Sequence, residues 1–251
     1  MVWAIVFPSD ANEFFPRGEF RGYREALAAH YKAERQPGLT PKHPPFYVFK
    51  TERPVDGDGN PYRGFQDYAS DVGQKFHAEW GVRRPHRPPL DPLQPHEWPR
   101  EFVHERLYKR ETAMVEFPNR AYAVTEQLRE ILERLEPGVH QFNPIRVLLP
   151  KGVEHPVPHH MLIVGRWLSS FRLEESDPAC LRDIDSVAPV VRSETKYCFA
   201  GLAMSASAIG GAHLWCERNL RGATFYVSDV LRDEVTKVGL RLPPTFRMKL
   251  V

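Results

Sequence analysis

The sequence has no marked excess of charge of either sign. Among its 251 residues, 34 lysines and arginines stand against 32 aspartates and glutamates, which gives a formal net charge of +2. Domains that bind nucleic acid usually carry a strong basic excess, so we expect no direct nucleic-acid partner. Any recognition that depends on charge must therefore use a local cluster of like charges.

Cysteine is scarce. The three cysteines, Cys180, Cys198 and Cys216, are an odd number at wide spacing and form no C-x-x-C pair. This pattern argues against a disulfide framework and against the common redox and zinc motifs. The first residues, MVWAIVFPSD, also lack the basic start of a secretory signal. We therefore predict a cytoplasmic protein with reduced thiols.

The sequence has no strongly apolar run of membrane-spanning length. Residues 197–216 contain no Asp, Glu, Lys or Arg over about the 20 residues that a bilayer helix needs. They include glycine, serine, histidine and many small alanines, however, and are too weakly apolar to enter a bilayer. We expect a buried segment that packs closely against its neighbours, and no membrane partner.

Sequence motifs of the common catalytic sites are missing as well. There is no G-x-S-x-G elbow, no Walker phosphate loop and no G-x-G-x-x-G. The densest group of metal-ligand residue types is at residues 154–160, but Pro156 and Pro158 prevent the helix that an H-E-x-x-H zinc motif requires. We predict an exposed loop there, followed by a strand at residues 161–164.

An enzyme remains the alternative hypothesis. It would be a metal-dependent enzyme centred on His155, His159 and His160, because imidazoles are good zinc ligands. His213 is the other candidate centre. Our preferred prediction contains no catalytic residue, no metal and no cofactor.

Proline, in contrast, is abundant. Of 24 prolines, six lie within residues 83–100, where they prevent a regular helix or a central strand. We predict a long connector that separates an N-terminal region, residues 1–100, from a domain at residues 101–251. The alternative for the connector is a polyproline ligand for an aromatic groove. Trp80 and Trp98 flank it as interface anchors or as rings that pin it to the body of the protein.

The N-terminal region contains three predicted elements and one turn. Residues 3–7 and 46–50 have strand character, and residues 22–34 have helical spacing of their apolar side chains. The turn at residues 56–60 resembles a calcium loop, but Pro61 occupies the position that needs glycine. We interpret it as an ordinary tight turn.

Two segments of the second half resemble each other, at residues 121–132 and 224–235. In each, a short aromatic and β-branched run ends at a hydroxyl residue, Thr125 or Ser228, which is a preferred helix cap. An acid follows, Glu126 or Asp229, where the helix dipole favours a carboxylate. The pattern predicts a strand followed by a capped helix in both segments.

The two predicted helices have similar apolar faces and ends. Residues 137–138, Pro-Gly, stop the first and Gly239 stops the second, and strands at residues 145–149 and 246–251 follow. Residues 101–111 are predicted as a charged helix. The fold class is mixed α/β, with paired strand–helix–strand units and with Trp167 and Trp215 in the core. The predicted buried helix positions are Leu128, Ile131, Leu132, Leu135, Leu231, Val235 and Val238.

These features resemble a known family. The strand followed by V-[ST]-[DE]-x-L, the stretch LEPGVHQFNP at residues 135–144 and the section from AHLW at residues 212–215 to Gly239 are similar to bacterial immunity proteins that accompany polymorphic toxins. The resemblance covers about residues 100–251. It implies inhibition of a cognate toxin by binding, with no fixed active site.

One segment has the unbalanced charge that partner binding could use. Residues 173–185, LEESDPACLRDID, contain five acids and one base. A negative field in a nearly neutral protein could steer a basic toxin, because complementary charge raises association rates. The alternative is a solvated loop. The predicted partner-binding residues are Glu174, Glu175, Asp177, Asp183 and Asp185.

Overall fold

The computed structural model describes residues 1–33, 35–37, 47–49, 64–76, 92–108, 110, 112–186 and 188–251. The predicted turn at residues 56–60, Trp80 and the first part of the proline-rich connector lie outside the described residues.

The described chain is a mixed α/β fold. Its strands are β1 Val2–Ile5, β2 Gly18–Phe20, β3 Arg35–Pro37, β4 Tyr47–Phe49, β5 Glu101–His104, β6 Met114–Phe117, β7 Ala121–Thr125, β8 Gln141–Leu148, β9 His159–Ile163, β10 Trp167–Leu168, β11 Phe171–Arg172, β12 Leu181–Arg182, β13 Val190–Val191, β14 Ala203–Met204, β15 Leu214–Glu217, β16 Phe225–Ser228 and β17 Thr245–Leu250. Its α-helices are α1 Tyr23–Ala33, α2 Phe65–Lys75, α3 Glu126–Leu135, α4 Lys196–Ala200, α5 Ala206–Ile209 and α6 Asp229–Lys237.

Two large sheets form the body of the protein. The seven-stranded sheet has the order β10-β15-β16-β1-β17-β14-β11, and the six-stranded sheet has the order β2-β5-β8-β9-β7-β6. Each sheet combines strands from before and after residue 100, and the division of the chain there stays a prediction. Strands β3 and β4 form one separate hairpin and β12 and β13 another.

Helices α3 and α6 occupy equivalent places in the two sheets. Helix α3 connects β7 to β8, and β9 lies between these two strands and runs antiparallel to both. Helix α6 connects β16 to β17, with β1 in the same intermediate position. The two helices contact each other, and Arg134 of α3 pairs with Glu234 of α6 at 2.7 Å.

Three hydrophobic clusters hold these layers together. The central cluster lies between the sheets and includes α3 and α6. A second cluster covers the outer face of the seven-stranded sheet with α4 and α5, and a third packs α1 and α2 on the outer face of the six-stranded sheet. Strand β1 shows why both faces of a central strand are apolar: Ile5 joins the central cluster, whereas Val2 and Ala4 join the second.

The prediction of a charged helix at residues 101–111 is wrong: residues 101–104 form strand β5, and the described residues 105–108 and 110 are not helical. Phe102 is fully buried and stacks on Phe117 with ring centroids 3.9 Å apart. Glu101 instead pairs with Arg21 at 2.9 Å and with Arg146 at 3.2 Å. The charges that suggested a helix surface are thus partners for residues distant in sequence.

Strand β8 begins at Gln141, four residues earlier than predicted. Pro144 lies inside it, which a strand with two neighbours would not normally accept because proline lacks an amide donor. The pairing of β8 with β5 starts only at Arg146, so at Pro144 the strand has β9 alone as its neighbour. Proline is tolerated at this position for that reason.

The predicted helix starts are at the right residues, but only one cap works as expected. Ser228 Oγ accepts a hydrogen bond from the Leu231 amide at 3.2 Å. Thr125 occupies the cap position of α3 without a side-chain cap, and its hydroxyl has no hydrogen-bond partner among the described residues. Of the predicted buried positions, Leu135 is only partly buried and Val238 is 46% exposed, since α6 ends at Lys237.

The described end of the proline-rich connector is fastened to α1 and α2. Trp98 is buried and its ring contacts Phe76 edge to face. Lys75 pairs with the buried carboxylate of Glu97 at 2.8 Å, and the Tyr23 hydroxyl donates to the Glu97 carbonyl. This supports the interpretation of Trp98 as a ring that pins the segment to the body of the protein.

Trp215 and Trp167, both predicted in the core, differ in burial. Trp215 is fully buried, as predicted, and stacks on Tyr226, whereas Trp167 is only partly buried. In the part of the chain that the structure describes, no helix has the length and apolar character to cross a membrane.

Candidate functional site

The five predicted partner-binding acids lie on one excursion from the seven-stranded sheet. This acidic excursion, residues 173–186, leaves the sheet after β11 and leads through a 3-10 turn at Pro178–Cys180 to strand β12. Glu174, Glu175, Asp183 and Asp185 are exposed, and Asp177 is partly buried.

Buried side chains and hydrogen bonds fix the acidic excursion to the rest of the protein. Cys180 and Leu181 are fully buried in the second cluster. The buried hydroxyl of Ser176 donates to the Arg172 carbonyl at 2.5 Å and accepts from the Ala203 amide at 2.9 Å. Its exposed carboxylates are therefore presented on a fixed support, and little ordering entropy remains to oppose binding.

The structure also reveals groups that moderate the negative charge. The Asp177 carboxylate accepts from the Ala179 amide at 2.9 Å and from the Tyr197 hydroxyl at 3.3 Å, so it serves the local fold. Arg221 lies 3.8 Å from Asp183, and the Lys249 ammonium donates to the Glu175 carbonyl at 3.3 Å. The strongest field is expected at Glu174, Glu175 and Asp185.

Tyr197 is an exposed aromatic residue beside the acidic excursion that was not predicted from the sequence as a contact residue. Its side chain belongs to the first turn of α4 and is 70% exposed, although the stretch that follows it is largely buried. Aromatic side chains are frequent anchors of protein interfaces. A signal was available, since Tyr197 is preceded by Lys196 at the polar end of an otherwise apolar stretch.

Three histidines meet around a small cavity. His155 and His159 have ring centroids 4.9 Å apart, and His104 of β5 joins them. This histidine cavity, of about 60 Å³, is also lined by Glu13, Tyr108, Arg110, Thr112, Val115, Phe117, Thr125, Leu149 and Val157. His104 was not predicted to belong to this group, because it is far from the other two histidines in the sequence.

Strand pairing decides the orientation of these histidines. His159 is the first residue of β9 and is buried, so the predicted exposed loop is wrong at this position. Its Nδ1 lies 2.8 Å from the Val157 carbonyl and must carry the proton, because the carbonyl only accepts. His155 Nδ1 lies 3.1 Å from the Val157 amide nitrogen and 3.2 Å from the Val157 carbonyl oxygen, so these two contacts leave its tautomer open.

Two histidines of the cavity, His104 and His159, are poor bases. Burial, followed by the nearby His155 and His104, lowers the pKa of His159 to about 4. Burial and His155 lower the pKa of His104 to about 4 as well. Both imidazoles are therefore neutral at pH 7.

The structure does not assemble the predicted alternative metal centre. His160, the next residue of β9, points away from the cavity and lies 3.1 Å from the Glu126 carboxylate. Burial lowers the pKa of His160 despite this carboxylate. Within the described residues, no group of three or more His, Cys, Asp or Glu side chains is arranged to hold a metal ion.

His213, the other candidate centre, belongs to the cap of α6. Its Nδ1 lies 2.8 Å from Ser228 Oγ, and the same hydroxyl accepts from the Leu231 amide. The Ser228 hydroxyl contacts both the His213 ring and the first turn of α6. The imidazole thus orients a structural cap.

The two family-like sections meet at one buried carboxylate. Glu136 Oε2 accepts from His140 Nε2 at 3.1 Å and from the Leu214 amide at 2.8 Å, and Arg166 Nε lies 3.0 Å from Oε1. We call these residues the Glu136 cluster. His140 Nδ1 accepts from the Gly165 amide, which leaves the proton on Nε2.

The Glu136 cluster keeps its carboxylate charged. Burial by itself raises the pKa of Glu136, but hydrogen bonds from His140 and from the amides of His213 and Leu214 outweigh it, and the pKa is lowered. The side chain of Glu136 is 1% exposed. The cluster connects the ends of α3, β8 and β15 through buried hydrogen bonds.

Comparison with known proteins identifies one family. The model of the immunity protein family (Imm11) matches residues 58–244, which is well over half of the chain. Comparison with curated proteins finds no match. The matched range includes both segments joined at the Glu136 cluster and the whole acidic excursion. The chain belongs to the immunity protein family (Imm11).

Proposed function

We propose that the protein binds a cognate antibacterial toxin in the cytoplasm of the producing cell and neutralises it without catalysing a reaction. The family match over residues 58–244 is the observation that carries this proposal. The histidine chemistry agrees with it, since His213 orients a helix cap and His159 is neutral and buried. An inhibitor needs only a surface complementary to its partner.

We further propose that the acidic excursion contacts the toxin. Glu174, Glu175 and Asp185 are exposed on a buried support, and Asp183 extends the same surface beside Arg221. Asp177 would act by holding Tyr197, whose exposed ring could pack against the partner. The toxin surface that fits this arrangement is basic, as in an enzyme that acts on nucleic acid.

Co-expression with the protein encoded beside this one tests the proposed function. We expect the immunity protein to protect cells from that protein and to co-purify with it. Absence of both protection and binding would refute the proposal for that pair. Metal analysis separates the enzyme alternative, because stoichiometric zinc lost on substitution of His155 and His159 would favour it.

Charge reversal tests the proposed surface. The triple variant Glu174→Lys, Glu175→Lys, Asp185→Lys should slow association with the toxin by about tenfold or more, with a weaker dependence on salt. The matched control is Asp10→Lys, Glu130→Lys, Asp233→Lys, which reverses three exposed acids elsewhere. Equal association rates of the two variants would exclude the acidic excursion as the docking surface and leave the toxin-binding function intact.

A further inference from the structure

Two buried polar atoms of the histidine cavity lack partners. Thr125 Oγ1 and His104 Nδ1 form no hydrogen bond with any residue that the structure describes. Thr125 is 4% exposed, and both residues line the cavity. A buried hydroxyl or imidazole nitrogen without a partner is costly, and such a group in a native protein calls for an explanation.

The size of the cavity limits what can satisfy these atoms. Its volume of about 60 Å³ is several times the space that one water requires, but it is far below the volume of pockets for nucleotides or other drug-sized ligands. A group of three or four heavy atoms fits.

The wall of the cavity is rich in donors. Thr125 supplies a hydroxyl. His155 Nδ1 lies 3.1 Å from the Val157 amide and 3.2 Å from its carbonyl, and the tautomer in which Nδ1 accepts from the amide would supply a second donor at Nε2. Arg110, an exposed permanent cation, lies on the wall. The carboxylate of Glu13 pairs with Arg241 at 3.1 Å, and the charge of Arg110 also helps to lower the pKa of Glu13, so two cations act on one carboxylate of the wall.

From this arrangement we propose that the histidine cavity binds a small oxyanion of the carboxylate type. Thr125, His104 and His155 would donate to its oxygens, and Arg110 would balance its charge. Such an anion would also favour protonation of the imidazoles, since an opposite charge within a few ångströms raises the pKa of a histidine.

The pH dependence follows from all the groups that face the cavity. The titratable ones are Glu13, His104, Tyr108, His155 and His159, and His160 acts on His159 from the next position of β9. Glu13 has a lowered pKa from hydrogen bonds that include Arg241 and stays ionised. Because bound anion and imidazole protons favour each other, affinity should rise as the pH is lowered toward the pKa of about 4 that His104 and His159 have without the anion.

Acetate titration of the full chain tests the proposal. Imidazole signals in NMR spectra report on His104, His155 and His159, and chloride at equal ionic strength is the reference anion. We expect chemical-shift changes that saturate with acetate. The affinity should be about tenfold higher at pH 5.5 than at pH 7.5, because binding that takes up one proton over about one pH unit strengthens about tenfold. Shifts that are absent, or equal in chloride, would refute an oxyanion site and indicate water in the cavity.

Variants of the wall distinguish specific binding from general salt effects. Thr125→Val should lower acetate affinity at least about fivefold, the loss of one hydrogen bond of about 1 kcal/mol, whereas Thr125→Ser retains the hydroxyl and should bind. Arg110→Gln leaves the buried core untouched and should also weaken binding. Thr236→Val, at an exposed helical site, is the control. Unchanged affinity in both Thr125→Val and Arg110→Gln would overturn the proposal.

Discussion

The carboxylate of Glu136 accepts the backbone amide of Leu214 at 2.8 Å, although 78 positions separate the two residues in the sequence. Glu136 lies where α3 ends and Leu214 opens β15, so the contact joins the two sheets. The family-like sequence pattern thus includes a polar connection inside the scaffold.

Loss of the Glu136 charge should destabilise the protein. In Glu136→Gln, an amide group replaces one oxygen next to His140, Arg166 and the Leu214 amide, and one or more buried donors lose their acceptor. We expect a loss of about 2–4 kcal/mol in the free energy of unfolding, measured by urea denaturation. Glu130→Gln, on the exposed side of α3, should change it by less than about 0.5 kcal/mol. Equal effects would contradict a central role for the cluster.

The two helix caps should respond differently to substitution. Ser228→Ala removes the acceptor of the Leu231 amide and should cost about 1 kcal/mol. Thr125→Val removes a hydroxyl that caps nothing, at nearly constant volume, and should be close to neutral in a buffer without carboxylate or phosphate. Chemical denaturation of both variants measures the contrast. A comparable loss in Thr125→Val would show that its hydroxyl has a partner in solution.

The free energy of unfolding should decrease as the pH is lowered, already at pH values above those at which the carboxylates titrate. The pKa of His159 is about 4 in the fold against an ordinary value of 6.5, so the unfolded chain binds more protons between these values. The contribution is fully present above pH 6.5 and is lost as the pH falls toward 4, to a total of about 3 kcal/mol. His159→Gln should flatten this part of the profile. Denaturation between pH 7.5 and 5 with chloride as the only anion measures it, and parallel profiles would contradict the shift.

Gly201 is expected to control the fit of the acidic excursion against α4. A Cβ atom at Gly201 would lie 2.9 Å from Cys180 Sγ and 3.2 Å from Asp177 Cβ. Gly201→Ala should therefore destabilise by about 1–3 kcal/mol through overpacking. Gly211→Ala is the matched control, because a Cβ there meets nothing within 4 Å. Thermal unfolding of both variants measures the difference. A Gly201→Ala variant as stable as the unmodified protein would show that the acidic excursion can move away from the added methyl group.

Local patterns predicted the parts of the fold that depend on neighbouring residues. The boundaries of α3 and α6 follow from a hydroxyl, an acid and an apolar period, all within one segment. The same reasoning failed at β5, where Phe102 packs on Phe117 and Glu101 pairs with Arg21 and Arg146. Partners brought together by the sheet decide such a strand, and they are not visible in its own sequence.

In the candidate site, too, the sequence predicted the local features and not the partners from distant elements. The acids of the excursion are visible as a run, but the bases that moderate them, Arg221 and Lys249, come from other elements. The histidine pair was noticed, whereas His104 reaches it only through the order of strands in the six-stranded sheet. Charge and residue type can be read locally, while distance and burial depend on the topology.

The position of β1 between β16 and β17 has a consequence for synthesis on the ribosome. The seven-stranded sheet cannot close until β17, at Thr245–Leu250, has left the exit tunnel, although its central strand is made first. All strands of the six-stranded sheet emerge by Ile163. Contacts between residues so far apart form slowly. During synthesis there is therefore an interval in which the six-stranded sheet can be complete while the seven-stranded sheet, which supports the acidic excursion, is not.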